Sequence, residues 1–374
     1  MVIFTKIKDL LSLSSGNLIS SLIYGLFWIF LASLFTNEEY GELGLFMSVA
    51  KVGSSIALLG LGGTILVYEA KNQNIFPASF VIVLISSTVT SIVAFVLTQN
   101  FMASLLLFGL TIFSITLFAV NAKKRYGDYS IYLILRAIIT VVLSFIFFQF
   151  FGIHGILLGY FIATLMVIKE LRSLLKNKKI DFSILRSKFN FAAFSFGNRV
   201  SQVLLRSGDK ILIGSIFGFS MLGNYYFAFQ VFMLLDTIPR SILHYLVPQE
   251  AEGKKNKKLK IISIITASII SVISIILAPI VVMALVPQYQ DSIIPIQILS
   301  IAVIPLSISG IQQAEFFGKE NSRFVLIGSV FQSGLYIVLI VLLGSNYGLL
   351  GVAVGFLISA ITRTIFNLFG RNNS

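Results

Sequence analysis

The residues best suited to chemistry are charged side chains within an apolar stretch, residues 190–218. The stretch is long enough to cross a bilayer, yet it contains Arg199, Arg206, Asp209 and Lys210. At 100° per residue, the three cations fall within about 40° of one another on a helical wheel. A charge at the bilayer centre costs at least about 2.5–3.5 kcal/mol on insertion scales. The sequence therefore predicts a cationic stripe that lines a cavity for an anion.

Further charges lie within other predicted spans. Lys51 falls at the predicted depth of Arg206, so we expect the two to flank one site from opposite lobes. Asp236 and Arg240 are one helical turn apart, which favours an ion pair. Arg136, near the inner end of its span, is expected to extend towards lipid headgroups.

Cations outnumber carboxylates among these residues, which favours an anionic ligand such as phosphate, because guanidinium groups bind phosphate oxygens in a bidentate manner. The predicted substrate-binding residues are Arg199, Arg206, Lys210, Lys51 and Arg240. Asp209 and Asp236 are predicted ion-coupling or charge-pairing residues. In an alternative interpretation, Arg206–Asp209 and Asp236–Arg240 pairs only hold helices together, which leaves Lys51, Arg199 and Lys210 unexplained.

Catalytic and metal sites are not expected. His154 falls in a short outside loop and His244 near an inner helix end, and neither has a second ligand at metal spacing. The chain has no cysteine, which excludes disulfides and thiolate sites. No nucleophile with a base, nucleotide-binding loop or paired catalytic carboxylates is present, so the sequence predicts a protein that is not an enzyme and needs no cofactor.

The elements that must position these charges are membrane-spanning helices. The chain has 374 residues, of which 57% are hydrophobic and 11% charged, and its mean hydropathy is +0.95. Repeated apolar runs of about twenty residues predict an all-α polytopic membrane protein. The twelve predicted spans are 15–35, 43–67, 77–98, 101–121, 129–151, 153–168, 191–218, 220–247, 261–286, 292–314, 324–344 and 346–368.

The distribution of Lys and Arg predicts the orientation. Of the 28 basic residues, 22 fall in segments that are cytoplasmic if the N-terminus is cytoplasmic, and the outside loops carry none. This asymmetry follows the positive-inside rule. The sequence therefore predicts a plasma-membrane protein with both termini in the cytoplasm. The net charge of +13 is thus explained by topology and attraction to anionic lipid, and nucleic acid is not an expected partner.

Internal repetition predicts two lobes of six helices in the same orientation. Residues Ser14–Ser20 align with Ser195–Ser201 at an offset of 181, with matching Ser, Gly, Asn and Ser. Late in each half, Gly152-x-x-Gly155-x-x-x-Gly159 aligns with Gly348-x-x-Gly351-x-x-x-Gly355, a spacing that favours close helix packing. The predicted domains are an N-terminal lobe at 1–168, a basic cytoplasmic linker at 169–189 and a C-terminal lobe at 190–374, related as parallel repeats.

Several motifs of the second half resemble those of a known family. The chain resembles the polysaccharide-biosynthesis flippases, the O-antigen-type lipid-linked oligosaccharide transporters of the MOP superfamily, which share the MATE fold. The motifs that carry this resemblance are Asp209-Lys210-Ile211-Leu212-Ile213-Gly214, Gly218, Leu222-Gly223-Asn224-Tyr225-Tyr226-Phe227-Ala228, Ile238-Pro239, Leu246-Val247-Pro248 and, after the first span, Gly41-Glu42-Leu43-Gly44. Members of that family often have up to fourteen spans, and this chain has room for twelve.

The resemblance implies two lobes around a cationic cavity that opens alternately inward and outward. It implies a cargo of oligosaccharide on polyprenyl pyrophosphate, moved from the cytoplasmic to the outer leaflet, with membrane lipids and glycan-assembly proteins as partners. Tyr225, Tyr226 and Gln230 are candidate sugar contacts, although packing at a helix interface explains the two tyrosines equally well.

Two alternative functions make different demands on the sequence. A drug antiporter with the same fold needs carboxylates deep in a lobe to bind Na⁺ or H⁺, and the first half has no acid within its spans. A membrane polymerase or ligase needs a sizeable catalytic loop with acidic residues, and the outside loops are short. A scaffold without transport activity would not explain the cations within the spans.

Overall fold

The chain is helical, without strands, throughout the part described by the computed structural model, which is residues 2–251, 256–318 and 322–372. Some side chains singled out by the sequence lie outside this description. They are those of His244, Ser14 of the repeat, Val247 and Pro248 of the family motif and, in the basic segments, Lys6, Lys8, Lys254, Lys255, Lys319 and Arg371.

Fourteen α-helices are described, two of which contain a sharp reversal. In the first part of the chain they are α1 Val2–Leu34, α2 Asn37–Ala57, α3 Leu61–Tyr68, α4 Phe76–Thr98, α5 Phe101–Ala122, α6 Tyr126–Thr164, α7 Ile168–Leu175 and α8 Phe182–Ser187. In the remainder they are α9 Phe189–Val203, α10 Asp209–Phe217, α11 Phe219–Ala251, α12 Lys257–Leu285, α13 Ile293–Gly318 and α14 Ser322–Asn372. A π-helix, Leu204–Gly208, joins α9 to α10.

The predicted fold class, an all-α membrane protein with about twelve spans, is confirmed. Seven described helices are long and apolar enough to cross a membrane, and the bent pair α2 and α3 passes the same test when its two helices are counted together. Two of these long helices, α6 and α14, each contain two antiparallel segments. The charged helices α9, α10 and α11 occupy the regions of the predicted spans 191–218 and 220–247.

The second predicted span is bent, which the sequence pattern did not indicate. Helices α2 and α3 meet at 53°, and Leu59 and Gly60 at the break have φ values of +48° and +73°. Glycine is needed at the second position because a Cβ there would lie 2.1 Å from the Ala192 carbonyl oxygen of α9. The break therefore lets α9 approach α3 closely.

The glycine repeat builds the same helical hairpin twice. Gly152 in α6 has φ +54° and ψ −134°, and Gly348 in α14 has φ +57° and ψ −137°. L-residues with a side chain rarely adopt this conformation. A Cβ on Gly155 would lie 2.1 Å from the Phe147 carbonyl oxygen, and one on Gly351 would lie 2.0 Å from that of Leu343. The repeat thus specifies reversal and close packing in both copies.

We expect Gly351→Ala to destabilise the second hairpin, since its new methyl group would overlap the Leu343 carbonyl oxygen. The loss should be about 1–3 kcal/mol, as for other overpacked sites, and is measured as a lower thermal unfolding temperature in detergent. Gly334→Ala in the same helix is the control, because a Cβ there meets nothing within 4 Å. It should be neutral or stabilising. Equal effects of the two substitutions would contradict this packing.

Contacts within the chain define two structural units. Unit 1 contains residues 1–20 and 46–208, and unit 2 contains residues 21–45 and 209–374. The repeat predicted segment 21–45 in the N-terminal lobe and segment 190–208 in the C-terminal lobe. By its contacts, segment 21–45 belongs to unit 2 and segment 190–208 belongs to unit 1. The lobe boundaries at 168 and 190 stay a prediction.

The predicted linker is folded into unit 1. Leu174 of α7 and Leu185 of α8 are buried in a core cluster with Leu61, Ile75 and Phe76 of α3 and α4. The Asn74 side-chain amide also donates to the Lys179 carbonyl oxygen at 3.3 Å. The basic connection is consequently a structured face of unit 1.

Candidate substrate site

Three cations from three helices of unit 1 form the candidate site. They are Lys51 of α2, Arg136 of α6 and Arg199 of α9, and we call them the cationic cluster. Lys51 and Arg136 are close enough for their positive charges to interact. Both Arg136 and Arg199 interact electrostatically with the hydroxyl of Tyr129 on α6. Tyr129 therefore marks the centre of the cluster.

Aromatic rings of α5 orient the two guanidinium groups. The Arg136 guanidinium carbon lies 4.5 Å from the centre of the Phe113 ring, and that of Arg199 lies 5.6 Å from the centre of the Phe118 ring. Such contacts stabilise a cation at a partly buried position. The prediction that Arg136 extends to lipid headgroups is wrong, because its guanidinium lies over Phe113 inside unit 1.

The two copies of the sequence repeat converge on this site. Asn17 and Asn198 occupy equivalent positions in the repeated motif. Asn17 of α1 forms a hydrogen bond with the Tyr129 side chain, and Arg199, which follows Asn198, interacts with the same hydroxyl. Gly16 allows this approach, because a Cβ there would lie 2.5 Å from the Ser130 hydroxyl. The repeat thus marked the segments that contain Asn17 and Arg199, whereas the role of Tyr129 became visible only in the fold.

The cluster carries an excess of positive charge. Among the described residues, the structure gives neither Lys51 nor Arg199 a carboxylate partner. Arg199 is exposed and Lys51 is half-buried. Two guanidinium groups, an ammonium and a phenol provide N–H and O–H donors that suit an anion with several oxygens, such as phosphate.

The predicted stripe of Arg199, Arg206 and Lys210 is interrupted by the π-helix. Arg206 lies within it and is half-buried. Because a π-helix winds more slowly than an α-helix, residues beyond it are rotated away from the face calculated at 100° per residue. Lys210 is therefore on a different face from Arg199, and the predicted exposure of Lys210 to an anion cavity is wrong.

Lys210 instead forms a buried ion pair in unit 2. Lys210 and Asp209 are each only 1% exposed, and Lys210 Nζ donates to both Asp209 oxygens at 2.9 and 2.8 Å. The same ammonium lies 3.0 Å from the centre of the Phe229 ring. Tyr225 donates its hydroxyl proton to Asp209 at 2.9 Å, so Tyr336 is the donor in the 2.6 Å hydrogen bond between the two phenols.

The candidate sugar contacts are mostly buried. Tyr225 is committed to Asp209, and Tyr226 is 2% exposed and packs edge-on against Trp28 and Tyr40 of the same unit. The structure corrects the expectation that these two tyrosines face sugar, because both serve helix packing. Gln230 is half-buried, and its role stays a prediction.

Two further cations of unit 2 have partners in that unit: Arg240 forms an ion pair, and Arg363 donates hydrogen bonds to neutral side chains. Arg240 donates to Asp236 through its Nε at 3.0 Å and through a second, shorter bond, which forms the predicted pair. Arg363 was assigned to a cytoplasmic segment by the sequence, yet it is buried. Its guanidinium donates to the Gln332 amide oxygen and the Ser329 hydroxyl at 2.7 and 2.8 Å.

Comparison with protein families shows the family to which the chain belongs. The family model described as "Polysaccharide biosynthesis protein" matches residues 101–290, which is just over half of the sequence. The chain belongs to this polysaccharide biosynthesis family. The matched region includes Tyr129, Arg136 and Arg199 of the cationic cluster. No curated protein matches the sequence of this family member.

Solved structures show the fold of this polysaccharide biosynthesis protein. It is similar to an inward-facing multidrug resistance MATE family transporter of the MOP superfamily, with a TM-score of 0.70, 14% identity and coverage of 95% of this chain and 94% of the other. An outward-facing MATE transporter gives 0.70, 16% identity and coverage of 98% and 95%. The lipid II flippase MurJ in an inward closed conformation gives 0.65, 14% identity and coverage of 100% and 88%. The predicted MATE-like fold is thereby confirmed.

Proposed function

We propose that this protein moves a polyprenyl-pyrophosphate-linked oligosaccharide from the cytoplasmic to the outer leaflet of the plasma membrane by alternating access. The cationic cluster is the single observation that carries this proposal, because it gathers three cations within a membrane-spanning unit, and Lys51 and Arg199 have no carboxylate partner among the described residues. Membership of the polysaccharide biosynthesis family and the likeness to a lipid II flippase support the same class of cargo.

Each residue of the cluster has a distinct role in this proposal. Arg199 binds two phosphate oxygens through its planar N–H groups, and Lys51 adds a point charge to the same group. Arg136 is held over Phe113 and supplies further N–H donors. Tyr129 donates its hydroxyl and is positioned by Asn17. The lipid tail of the cargo remains in the bilayer while its headgroup crosses.

A drug antiporter of the same fold is less well supported. Such a protein needs a carboxylate that is available to a coupling ion. The in-span acids predicted by the sequence are Asp209 and Asp236, and each is paired with a basic side chain, Lys210 and Arg240 respectively. We therefore assign both acids a charge-pairing role. The energy source then lies in another residue or in the supply and removal of the cargo itself.

Transport by purified protein in vesicles tests the proposal. Vesicles receive a fluorescent polyprenyl pyrophosphate sugar, the same sugar on neutral polyprenol, or a cationic dye. We expect movement of the pyrophosphate lipid only, since the cluster recognises its charge. Equal movement of the neutral lipid, or export of the dye alone, would reject it.

The orientation is proposed from the basic segments, with both termini cytoplasmic. Since the chain lacks cysteine, a single cysteine at Lys178 or Glu38 can be labelled in intact cells with an impermeant maleimide. Only the cysteine at Glu38 should react, and labelling at Lys178 alone would invert the orientation.

A further inference from the structure

An apolar cavity lies in unit 1 beside the folded connection. Its volume is about 480 Å³, and its lining includes Leu61, Leu185, Ala192, Phe196 and the side chain of Arg186. This volume falls in the range of cavities that hold small ligands, which are mostly apolar with a few polar groups. The cationic cluster does not contribute to this lining, so the cavity requires a separate explanation.

The sequence of α8 and α9 explains why the cavity lining is mainly apolar, with Arg186 as the basic side chain among the lining residues. Phe182, Leu185 and Phe189 recur at helical spacing and line the cavity together. Leu185 anchors α8 to the core, whereas Phe182 and Phe189 remain 49% and 69% exposed at the rim. Large exposed aromatic side chains next to a cavity are suited to contact with hydrocarbon.

Two lysines lie over the ring of Tyr68, which packs against the core cluster that shares Leu61, Leu185 and Ala192 with the cavity lining. Lys188 Nζ and Lys71 Nζ lie 4.9 and 5.7 Å from the centre of one ring, that of Tyr68. Tyr68 packs edge-on against Phe191, one residue before the cavity-lining Ala192. Two ammonium groups on one ring, together with Arg186 in the cavity lining, favour an anionic headgroup.

The nearest acids in sequence are occupied by backbone groups. Glu69 accepts a hydrogen bond from the Phe76 amide at 2.7 Å. Asp181 accepts from the amide and the hydroxyl of Ser183 at 2.8 and 2.6 Å, which lowers the pKa of this exposed carboxyl and keeps it charged as the N-cap of α8. Neither carboxylate forms an ion pair with Lys71, Lys188 or Arg186 among the described residues.

We propose that this cavity is a binding site for a resident anionic phospholipid, whose acyl chain fills the apolar space and whose phosphate contacts Arg186, Lys188 and Lys71. The charge complementarity of the rim distinguishes this occupant from a zwitterionic lipid. A bound phospholipid would hold α8 and the start of α9 at the membrane interface. This site is independent of the cargo and of the proposed transport activity.

Native mass spectrometry of the full-length protein, purified in detergent, tests the site. The protein is titrated separately with phosphatidylglycerol, phosphatidylcholine and glycerol phosphate. We expect about tenfold tighter binding of phosphatidylglycerol than of phosphatidylcholine, because each basic side chain near a headgroup favours negative charge. Glycerol phosphate should not bind measurably, since it lacks the acyl chain. Equal affinity for the two lipids, or tight binding of glycerol phosphate, would overturn the proposal.

Two variants separate the cavity from the rim. Ala193→Phe fills the cavity that Ala193 lines and should abolish binding of both lipids. Val96→Phe places the same new side chain on the exposed face of α4, outside that lining, and should retain wild-type binding. The double variant Arg186→Gln/Lys188→Gln should lose most of the preference for the anionic lipid while still binding phosphatidylcholine. Unchanged lipid binding in Ala193→Phe would overturn the proposal.

The lipid extracted from the purified protein identifies the natural occupant. We expect an anionic phospholipid in the wild type and its depletion in Ala193→Phe. A polyprenyl phosphate lost in the same way would overturn the assignment to a resident phospholipid and assign the cavity to the cargo.

Discussion

Arg199→Ala is expected to abolish export of the lipid-linked oligosaccharide while the protein still inserts into the membrane. Arg199 has no carboxylate partner among the described residues, so its removal leaves no buried acid unpaired. Loss of a hydrogen-bonded charge on phosphate costs about 1.5–3 kcal/mol, or roughly ten- to a hundredfold in cargo binding. Transport in vesicles and complementation of a flippase-deficient strain measure this effect.

Two substitutions make the result for Arg199 specific. Arg199→Lys retains the charge but loses bidentate binding, so we expect partial activity. Lys123→Ala removes an exposed cation in the connection before α6 and should leave transport unchanged. Full complementation by Arg199→Ala at normal membrane abundance would refute the role of the cationic cluster.

We expect the same loss of export for Arg206→Ala, whose place in the cavity stays a prediction.

Asp209→Asn is expected to destabilise unit 2 without acting on cargo directly. The substitution leaves the Lys210 ammonium buried at 1% exposure without its counter-ion. Breaking a buried ion pair by removing one partner costs about 3–5 kcal/mol. The expected result is a large drop in the thermal unfolding temperature of the detergent-purified protein.

A double substitution distinguishes charge from packing at this pair. Asp209→Asn/Lys210→Met removes both charges and should recover most of the lost stability, because neutral replacement of a buried pair is often tolerated. Asp236→Asn is the matched control in the same unit. Its partner Arg240 is 35% exposed and can be hydrated, so the loss should be much smaller. Additive destabilisation in the Asp209/Lys210 double variant would show that the pair does not interact as described.

The neutral double variant also bears on energy coupling. If Asp209 only balances Lys210, restored stability should bring restored transport. Stable protein that fails to transport would instead assign Asp209 a coupling role, together with Tyr225 and Tyr336, which are hydrogen-bonded to it in series.

The fold could be predicted from short-range sequence patterns, because the lipid environment restricts the length and composition of each membrane span. A span must be about twenty apolar residues long, and its backbone must satisfy its own hydrogen bonds. The helices and the paired glycine hairpins at Gly152 and Gly348 therefore follow from composition and repetition. The Asp236–Arg240 pair followed as well, since one unbroken helix fixes its spacing.

The candidate site depended on features that no local pattern records. A wheel drawn at a constant 100° per residue placed Lys210 beside Arg199, and the π-helix at 204–208 turns it to a buried position. The sequence assigned Arg136 to lipid headgroups and gave Tyr129 no role, and both become part of a site only when α1, α2, α5 and α9 pack around them.

The sequence by itself determined an all-helical membrane protein with a repeated plan, since hydropathy and glycine spacing act over a few residues. It also identified Arg199 and Lys51 as cations whose position within a membrane span requires an explanation. Only the tertiary structure decided which charges neutralise each other and which stay available, because partnership depends on side chains that meet from distant helices. That is why Lys210, predicted to bind cargo, is buried against Asp209, whereas Arg136 joins the site.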